Sequence, residues 1–133
     1  MNVQPYLAFL GNCQEAINFY ADCFNAKVTN RITYENSKKD IPEHYRKKLQ
    51  HAEVKGNGVH ILAYDAAPDT PLTSGNQIHM SVDLSDADNA KLIFNKLSEG
   101  GQVNNPFNEK DWGALYGRCT DKFGIHWMVN CDL

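Results

Sequence analysis

The chain has 133 residues, of which 42% are hydrophobic and 22% are charged, and its formal net charge is −3. This length and composition predict one ordinary globular domain with a hydrophobic core rather than a disordered chain. The negative net charge argues against a nucleic-acid partner, because nucleic-acid binders usually carry a basic stripe. No apolar stretch approaches the ~18 residues needed to cross a bilayer, so we expect no membrane partner.

The cysteines indicate a reducing compartment. The four of them, Cys13, Cys23, Cys119 and Cys131, show no paired CxxC spacing, and the N-terminus has no basic region followed by an apolar run. These features predict reduced thiols and a cytoplasmic protein. Nothing in the sequence places a base beside Cys13 or Cys131, so we predict that both are small buried side chains rather than nucleophiles.

The first half of the chain is predicted to form a strand, a helix and then three strands. The strands are predicted at residues 6–10, 27–34, 51–55 and 59–64. Asn12 is predicted to cap the helix, with Glu15 completing a capping-box pair, and apolar residues recur at helical spacing afterwards. Those apolar residues are Ala16, Ile17, Tyr20, Cys23 and Phe24. A short inserted helix is predicted at residues 40–50, with Pro42 in its first turn.

The second half follows the same order. A strand ends near Asp83, Ser85 is predicted to cap the next helix with Asp88 as its third residue, and Gly100-Gly101 ends it. The apolar stripe of this helix is predicted to comprise Ala87, Ala90, Phe94 and Leu97. Further strands are predicted at residues 102–106, 115–120 and 125–131.

An internal repeat relates the two halves. At one constant offset, Leu10 matches Leu84, Ala16 matches Ala90, Phe19 matches Ile93 and Tyr20 matches Phe94, and Gly58-Val-His-Ile-Leu-Ala63 matches Gly124-Ile-His-Trp-Met-Val129 further on. The repeat predicts an α+β fold made of two βαβββ modules. We expect one domain (1–133) with modules at about 1–65 and 76–133 and a linker at 66–75. A curved mixed sheet would surround a cup, with the helices on its outer face.

Several segments resemble one known family. They are Pro5 to Tyr20, His51-Ala-Glu-Val54, Ser81-Val-Asp83 and Asp121-Lys-Phe-Gly-Ile-His-Trp-Met-Val-Asn-Cys131. Together they resemble PhnB-like proteins of the vicinal-oxygen-chelate superfamily, which includes glyoxalases, bleomycin-resistance proteins and dioxygenases. The resemblance implies a glyoxalase-like fold and a homodimer. Some relatives carry a methyltransferase label, but the sequence lacks a Gly-rich strand-to-helix turn for a nucleoside cofactor, so we do not expect that activity.

The resemblance also raises the question of a metal. Metal-dependent members of the superfamily hold a divalent ion at four strand positions, which correspond here to Pro5, Leu62, Gln77 and Met128. Only Gln77 offers a good donor atom, so we expect no metal or other cofactor at that location. A displaced metal site formed by His51, Gln77 and His79 remains an alternative.

Strand alternation predicts which side chains line the cup. They are His51, Glu53, Leu62, Gln77, His79, Trp112, His126, Met128 and Asn130. Burial of Glu53 would raise its pKa and make it a candidate catalytic base, whereas an ion pair with a nearby lysine is the simpler interpretation. Trp127 is predicted to belong to the core, because it alternates with Met128.

Three functions remain open from the sequence. The first is a protein that binds a small, partly apolar ligand in the cup without a metal. The second is a metal-dependent lyase, isomerase or dioxygenase that acts on a small vicinal-oxygen metabolite through displaced His, Gln or Glu ligands. The third is a dimeric interaction module with a vestigial cup. The ligand or substrate is not identified by the sequence.

Overall fold

The computed structural model describes residues 1–133 and divides into two compact units, Met1–Leu72 and Thr73–Leu133. Each unit consists of a strand, a helix and three further strands, and each contains its own four-stranded sheet. The predicted α+β class and the two βαβββ modules are therefore confirmed. Neither helix is long or apolar enough to span a membrane.

The first unit has one parallel strand pair at the edge of an otherwise antiparallel sheet. Its elements are β1 (Tyr6–Phe9), α1 (Cys13–Phe24), β2 (Lys27–Thr33), β3 (Leu49–Gly56) and β4 (Val59–Asp65), with single 3₁₀ turns at Tyr34–Asn36 and Glu43–Tyr45. The strand order is β1-β4-β3-β2, and β1 runs parallel to β4. This arrangement places β3 and β4 at the centre of the sheet.

The second unit repeats this topology. Its elements are β5 (Met80–Asp83), α2 (Ala87–Ser98), β6 (Gln102–Glu109), β7 (Ala114–Thr120) and β8 (His126–Asp132). The strand order is β5-β8-β7-β6, with β5 parallel to β8. The strands thus start and end within a few residues of the positions that the sequence predicts.

Each helix packs its apolar stripe on one face of its own sheet. The predicted stripe of α1 is buried as expected, together with Cys13. In α2 the buried residues are Ala90, Ile93, Phe94 and Leu97, so Ile93 takes the place that we assigned to Ala87. One face of each sheet is therefore covered by its helix, and the other face carries the polar side chains of interest.

The start of α1 differs from the prediction. The Asn12 side chain makes no capping hydrogen bond. The buried carboxylate of Asp65 instead accepts hydrogen bonds from the backbone N–H groups of Gly11 and Cys13 at 2.8 and 3.0 Å, and from Leu49 at 2.9 Å. A residue far along the chain thus supplies the acceptor for the free N–H groups at this helix end.

The cap of α2 lies one residue later than predicted. Asp86, not Ser85, is the N-cap, and its side chain accepts a hydrogen bond from the backbone N–H of Asn89 at 3.1 Å. Both aspartate and serine are good N-caps, so the sequence pattern did not distinguish between these neighbouring positions.

The inserted helix predicted at residues 40–50 is wrong, because the helical segment in the structure is much shorter. Only Glu43–Tyr45 forms a 3₁₀ turn, and β3 already begins at Leu49. The segment is held by its aromatic residues, because Tyr34, Ile41 and Tyr45 form a buried cluster. The hydroxyl groups of both tyrosines donate to backbone carbonyls at the end of β4. These tertiary contacts end the turn before a second helical turn can form.

Candidate functional site

A network of polar side chains lies on the face of the first sheet opposite α1. Its centre is Glu53 on β3, whose side chain is only 14% exposed. The carboxylate accepts hydrogen bonds from His60 Nε2 at 2.6 Å, from Asn30 Nδ2 at 2.6 Å and from His51 Nε2 at 3.2 Å. Three donors from three strands therefore converge on one carboxylate.

The local backbone explains why these side chains meet. His51 and Glu53 are two residues apart on β3 and so point to the same face of the sheet. His60 lies on the neighbouring β4. Asn30 lies where the pairing of β2 with β3 is irregular, and its φ of 53° is one that asparagine tolerates better than most residues. This bulge brings the Asn30 amide to the carboxylate.

A second ring of donors orients the two imidazoles. The Tyr6 hydroxyl donates to Nδ1 of His51 at 2.6 Å, and the side-chain amide of Gln4 donates to Nδ1 of His60. An ionised carboxylate can only accept, so in the neutral tautomer that fits these contacts each ring carries its proton on Nε2 and accepts at Nδ1. The hydrogen-bond assignment is thus consistent from Tyr6 through His51 to Glu53.

Hydrogen bonds control the electrostatics of Glu53. Its interactions with His60, Asn30 and His51 lower the pKa of Glu53 to about 2. Of the two interpretations left open by the sequence, the raised pKa is not found, because the donor groups outweigh the effect of burial. The partners of Glu53 are histidines and an asparagine rather than a lysine. By contrast, burial and the neighbouring Tyr64 and Glu53 raise the pKa of Tyr6.

The second unit contains an open cavity of about 240 Å³. The polar side chains that line it are Asn76, His79, Asn104, Arg118, Thr120 and His126, and Cys119 and Trp127 contribute buried surface. No aspartate or glutamate lines the cavity, and Arg118 forms no ion pair. The cavity therefore presents a guanidinium without a neutralising carboxylate.

Hydrogen bonds order one wall of this cavity. The Thr120 hydroxyl lies 2.8 Å from Asn104 Oδ1 and 2.9 Å from His126 Nδ1, and His126 Nε2 lies 2.8 Å from the Gly75 carbonyl oxygen. His79 packs edge-on against His126, with the ring centroids 5.5 Å apart. The polar groups beside Arg118 are thus held in defined positions.

The internal repeat relates the centres of the two polar faces. Glu53 is paired with Leu62, two residues after His60, and Arg118 is paired with Met128, two residues after His126. Glu53 and Arg118 consequently occupy equivalent register positions in their own sheets. The two modules have the same framework but opposite charges at this position.

The residues at the superfamily's metal positions do not fit a metal ion. Pro5 and Leu62 carry no donor atom, Gln77 is exposed, and the Met128 sulfur lies 4.0 Å from the Tyr116 hydroxyl. No group of three or more His, Cys, Asp or Glu side chains is arranged to hold a metal. These four positions therefore do not supply the donor set with which metal-dependent members hold a Lewis-acid metal ion.

The remaining predicted residues lie in varied surroundings. Trp112 is 65% exposed and packs edge-on against Tyr116, and the Asn130 amide donates to Asp83 and Asp132 at 3.1 Å. Neither of them lines the cavity, nor do Gln77 and Met128. Trp127 is buried and donates to Asp121 at 2.8 Å, which confirms its assignment to the core.

The cysteines are shielded from solvent. All four are free and buried, which confirms the predicted burial of Cys13 and Cys131. Burial, reinforced by the nearby Asp65, raises the pKa of the Cys13 thiol to about 12, and burial together with Asp121 does the same for Cys119. At neutral pH neither of these thiols forms the reactive thiolate.

Ten residues of the Glu53 network and the cavity were not among the predicted site residues: Gln4, Tyr6, Asn30, His60, Asn76, Asn104, Arg118, Cys119, Thr120 and Trp127. Tyr6 was assigned only to a buried strand, although it is 49% exposed. Arg118 could have been found from the repeat, because it matches Glu53 once the β7–β8 loop is allowed one extra residue. Asn30 could not have been found from the repeat, because its position depends on a β-bulge.

Comparison with known proteins identifies the family. Residues 1–130 match the family model described as 3-demethylubiquinone-9 3-methyltransferase, and the chain belongs to this PhnB-like family. It is 30% identical over 140 residues to protein YjdN of Escherichia coli (strain K12), covering 98% of this chain and 95% of that protein. The crystal structure of protein PA1353 from Pseudomonas aeruginosa is similar with a TM-score of 0.88 and 31% identity, and covers 99% of this chain and 98% of that chain.

More distant structures share the fold. A Bacillus cereus structure described as a putative 3-demethylubiquinone-9 3-methyltransferase, PhnB protein, has a TM-score of 0.84 at 20% identity, covering 98% of this chain and 99% of that chain. A glyoxylase/bleomycin resistance protein/dioxygenase domain from Frankia sp. EAN1pec has a TM-score of 0.68 at 11% identity. The match covers 100% of this chain and 98% of that chain. The suspected family and fold are therefore confirmed.

Proposed function

We propose that this PhnB-like protein binds a small molecule with an anionic group in the open cavity of the second unit. The observation that carries the proposal is Arg118, a cation that faces a cavity without any carboxylate. Guanidinium groups bind carboxylates and phosphates through charge-assisted, often bidentate hydrogen bonds. Asn76, Asn104 and the two histidines supply further polar partners around the same cavity.

The size and lining of the cavity restrict the ligand. Its volume of about 240 Å³ lies below the ~300–1,000 Å³ of pockets that take drug-sized ligands. The ligand is thus a metabolite of few atoms, or one end of a larger molecule. Because the lining is mainly polar, this ligand is more polar than the partly apolar one that the sequence suggested.

The experiment uses inorganic phosphate, methylphosphonate and acetate as probes. Each is titrated into the full chain at neutral pH and low salt, and backbone amide chemical shifts are followed by NMR. We expect saturable shifts near Thr120 and His126 with at least one probe, and an affinity at least tenfold lower for R118Q. Arg31→Gln is the matched control, because Arg31 is an exposed arginine on β2 of the other unit.

Two results would refute the anion site. One is the absence of saturable shifts with all three probes, and the other is equal affinity of R118Q and the unchanged chain. The same titration after dialysis against EDTA separates this proposal from a metal-dependent enzyme. Binding that survives the chelator supports a metal-free site, whereas loss of binding favours the metal-dependent alternative.

We also propose that the chain forms a homodimer in the cytoplasm. Exposed apolar side chains support self-association: Ile78, Trp112 and Ile32 are 84%, 65% and 54% exposed. The four free cysteines support a reducing compartment. Sedimentation velocity at micromolar concentrations measures the mass in solution. A single species near 15.0 kDa would contradict the dimer.

A further inference from the structure

We propose that Tyr6, His51 and Glu53 form a proton-transfer relay in the first unit, with the Tyr6 hydroxyl as the group that contacts a substrate. The relay is separate from the anion cavity, because all three residues belong to the other compact unit. Either proposal can therefore fail without affecting the other.

The geometry is that of a hydroxyl, a base and an orienting carboxylate. The Tyr6 hydroxyl donates to Nδ1 of His51 at 2.6 Å, and Nε2 of His51 donates to Glu53 at 3.2 Å. Enzymes that activate a hydroxyl use the same order of groups, in which the carboxylate fixes the tautomer of the imidazole and stabilises its cationic form. Here Asn30 and His60 in turn hold the carboxylate.

Exposure increases from the carboxylate to the phenol. The side chains of Glu53 and His51 are 14% and 25% exposed, whereas Tyr6 is 49% exposed. The end of the relay that would meet a substrate is therefore accessible, and the orienting end is shielded. A low pKa keeps Glu53 ionised at neutral pH, and a raised pKa keeps the Tyr6 hydroxyl protonated until it exchanges its proton.

The net result of the relay is the transfer of one proton from the substrate to His51, and the Tyr6 O–H bond that breaks is replaced by a new one to the substrate's proton. The Tyr6 oxygen accepts a proton from the substrate while its own proton passes to Nδ1 of His51. The products of this step are the substrate anion, an intact tyrosine and an imidazolium that is paired with Glu53. The reverse transfer returns the proton to the substrate at the same or a neighbouring atom.

The surroundings indicate the class of substrate. Cys13 is buried and its thiol has a pKa of about 12, so no thiolate is available for covalent catalysis. The charge within the network is the negative charge of Glu53, which disfavours an anionic substrate beside it. The geometry therefore points to a small, uncharged carbonyl compound whose neighbouring C–H or O–H group is acidic, and to an isomerisation or enolisation.

The first test uses 5-nitrobenzisoxazole, a general probe for a base. Removal of its ring proton breaks the N–O bond and releases a coloured cyanophenolate, so no natural substrate is needed. With the full chain at neutral pH we expect turnover above the buffer rate, and a decrease of at least tenfold in Y6F, H51Q and E53Q, the range typical of general acid–base groups.

A control separates the relay from nonspecific surface catalysis. His44→Gln removes an exposed imidazole elsewhere in the unit. This variant should keep the rate of the unchanged chain. Absence of turnover above the buffer rate would overturn the proposal. Full turnover in Y6F would also overturn it, because His51 would then act without the phenol.

The second test does not depend on variants that fold. Long-range ¹H–¹⁵N NMR spectra of the unchanged chain report which ring nitrogen of each histidine carries the proton. We expect His51 and His60 to be protonated on Nε2 and unprotonated on Nδ1 at neutral pH. A proton on Nδ1 of His51 would overturn the relay, since the imidazole could not then accept from Tyr6.

Discussion

Glu53 and His60 meet across neighbouring strands, with His60 Nε2 donating to Oε1 of the carboxylate at 2.6 Å. The other oxygen, Oε2, accepts from Asn30 and His51. Both oxygens of this largely buried carboxylate therefore accept hydrogen bonds from protein donors. Protonation of either oxygen would place a hydrogen where a donor N–H now points, which links the network to pH.

The stability contributed by Glu53 should depend on pH in one direction. Its pKa of about 2 in the folded chain lies below the ordinary value of 4.5, so the contribution is fully present above about pH 4.5 and is lost as the pH falls towards 2. We expect E53Q to be less stable than the unchanged chain at pH 7 and to approach it at pH 3, by urea denaturation.

Glu43 provides the control for this comparison. Its side chain is 93% exposed and pairs only with Arg46 at 3.1 Å. E43Q should change the free energy of unfolding by less than about 0.5 kcal/mol at both pH values. A constant difference between E53Q and the unchanged chain across the pH range would disprove the lowered pKa.

Asp65 should be a major determinant of stability in the first unit. Its buried carboxylate accepts from three backbone N–H groups, so D65A leaves the buried donors of Cys13 and Leu49 and the partly buried donor of Gly11 without partners. We expect a loss of about 3 kcal/mol or more in the free energy of unfolding. Asp69→Ala, at an exposed position, should change it by less than about 0.5 kcal/mol. A D65A variant as stable as D69A would refute this role.

The two helix starts make a paired prediction. Asp86 caps α2 with its side chain, so D86A should cost about 1 kcal/mol. Asn12 makes no such hydrogen bond, so N12A should cost less than about 0.5 kcal/mol. Urea unfolding of both variants distinguishes the cap by the N-cap side chain in α2 from the cap that Asp65 supplies to α1, and equal costs would contradict the assignment.

Thiol reactivity should differ sharply between the folded and unfolded chain. All four cysteines are buried, and burial raises the pKa values of Cys13 and Cys119 to about 12. With 5,5′-dithiobis(2-nitrobenzoate) at pH 8 we expect slow labelling of the native chain and four rapid equivalents in guanidinium chloride. Rapid native labelling of either Cys13 or Cys119 would contradict their burial.

The sequence predicted the fold better than the sites, for identifiable reasons. The repeat that relates Ala16 to Ala90 and His60 to His126 follows the chain order, and hydrophobic periodicity marks the helices directly. The geometry of Glu53 depends instead on contacts between strands. Alternation placed His51 beside it correctly, but the β-bulge at Asn30 and the reach of Tyr6 arise only once the strands have paired.

The pKa of Glu53 depends on tertiary contacts for the same reason. The sequence leaves open a rise in pKa through burial and an ion pair with a lysine, whereas the three donors that dominate the pKa come from residues 30, 51 and 60. The cap of α1 was missed for a similar reason, because its acceptor lies in β4 rather than beside the helix. Local patterns predict local hydrogen bonds, and these are long-range ones.

The cap of α1 by Asp65 has a consequence for the order in which the chain acquires structure during synthesis. The cap of α2 is complete once residue 89 has been made, because Asp86 and Asn89 are neighbours. The acceptor for α1 is synthesised more than fifty residues after Cys13, so the first helix to be translated has to wait for the last strand of its own unit. The N-terminal module thus closes as a whole, whereas the helix of the C-terminal module can begin from its own sequence.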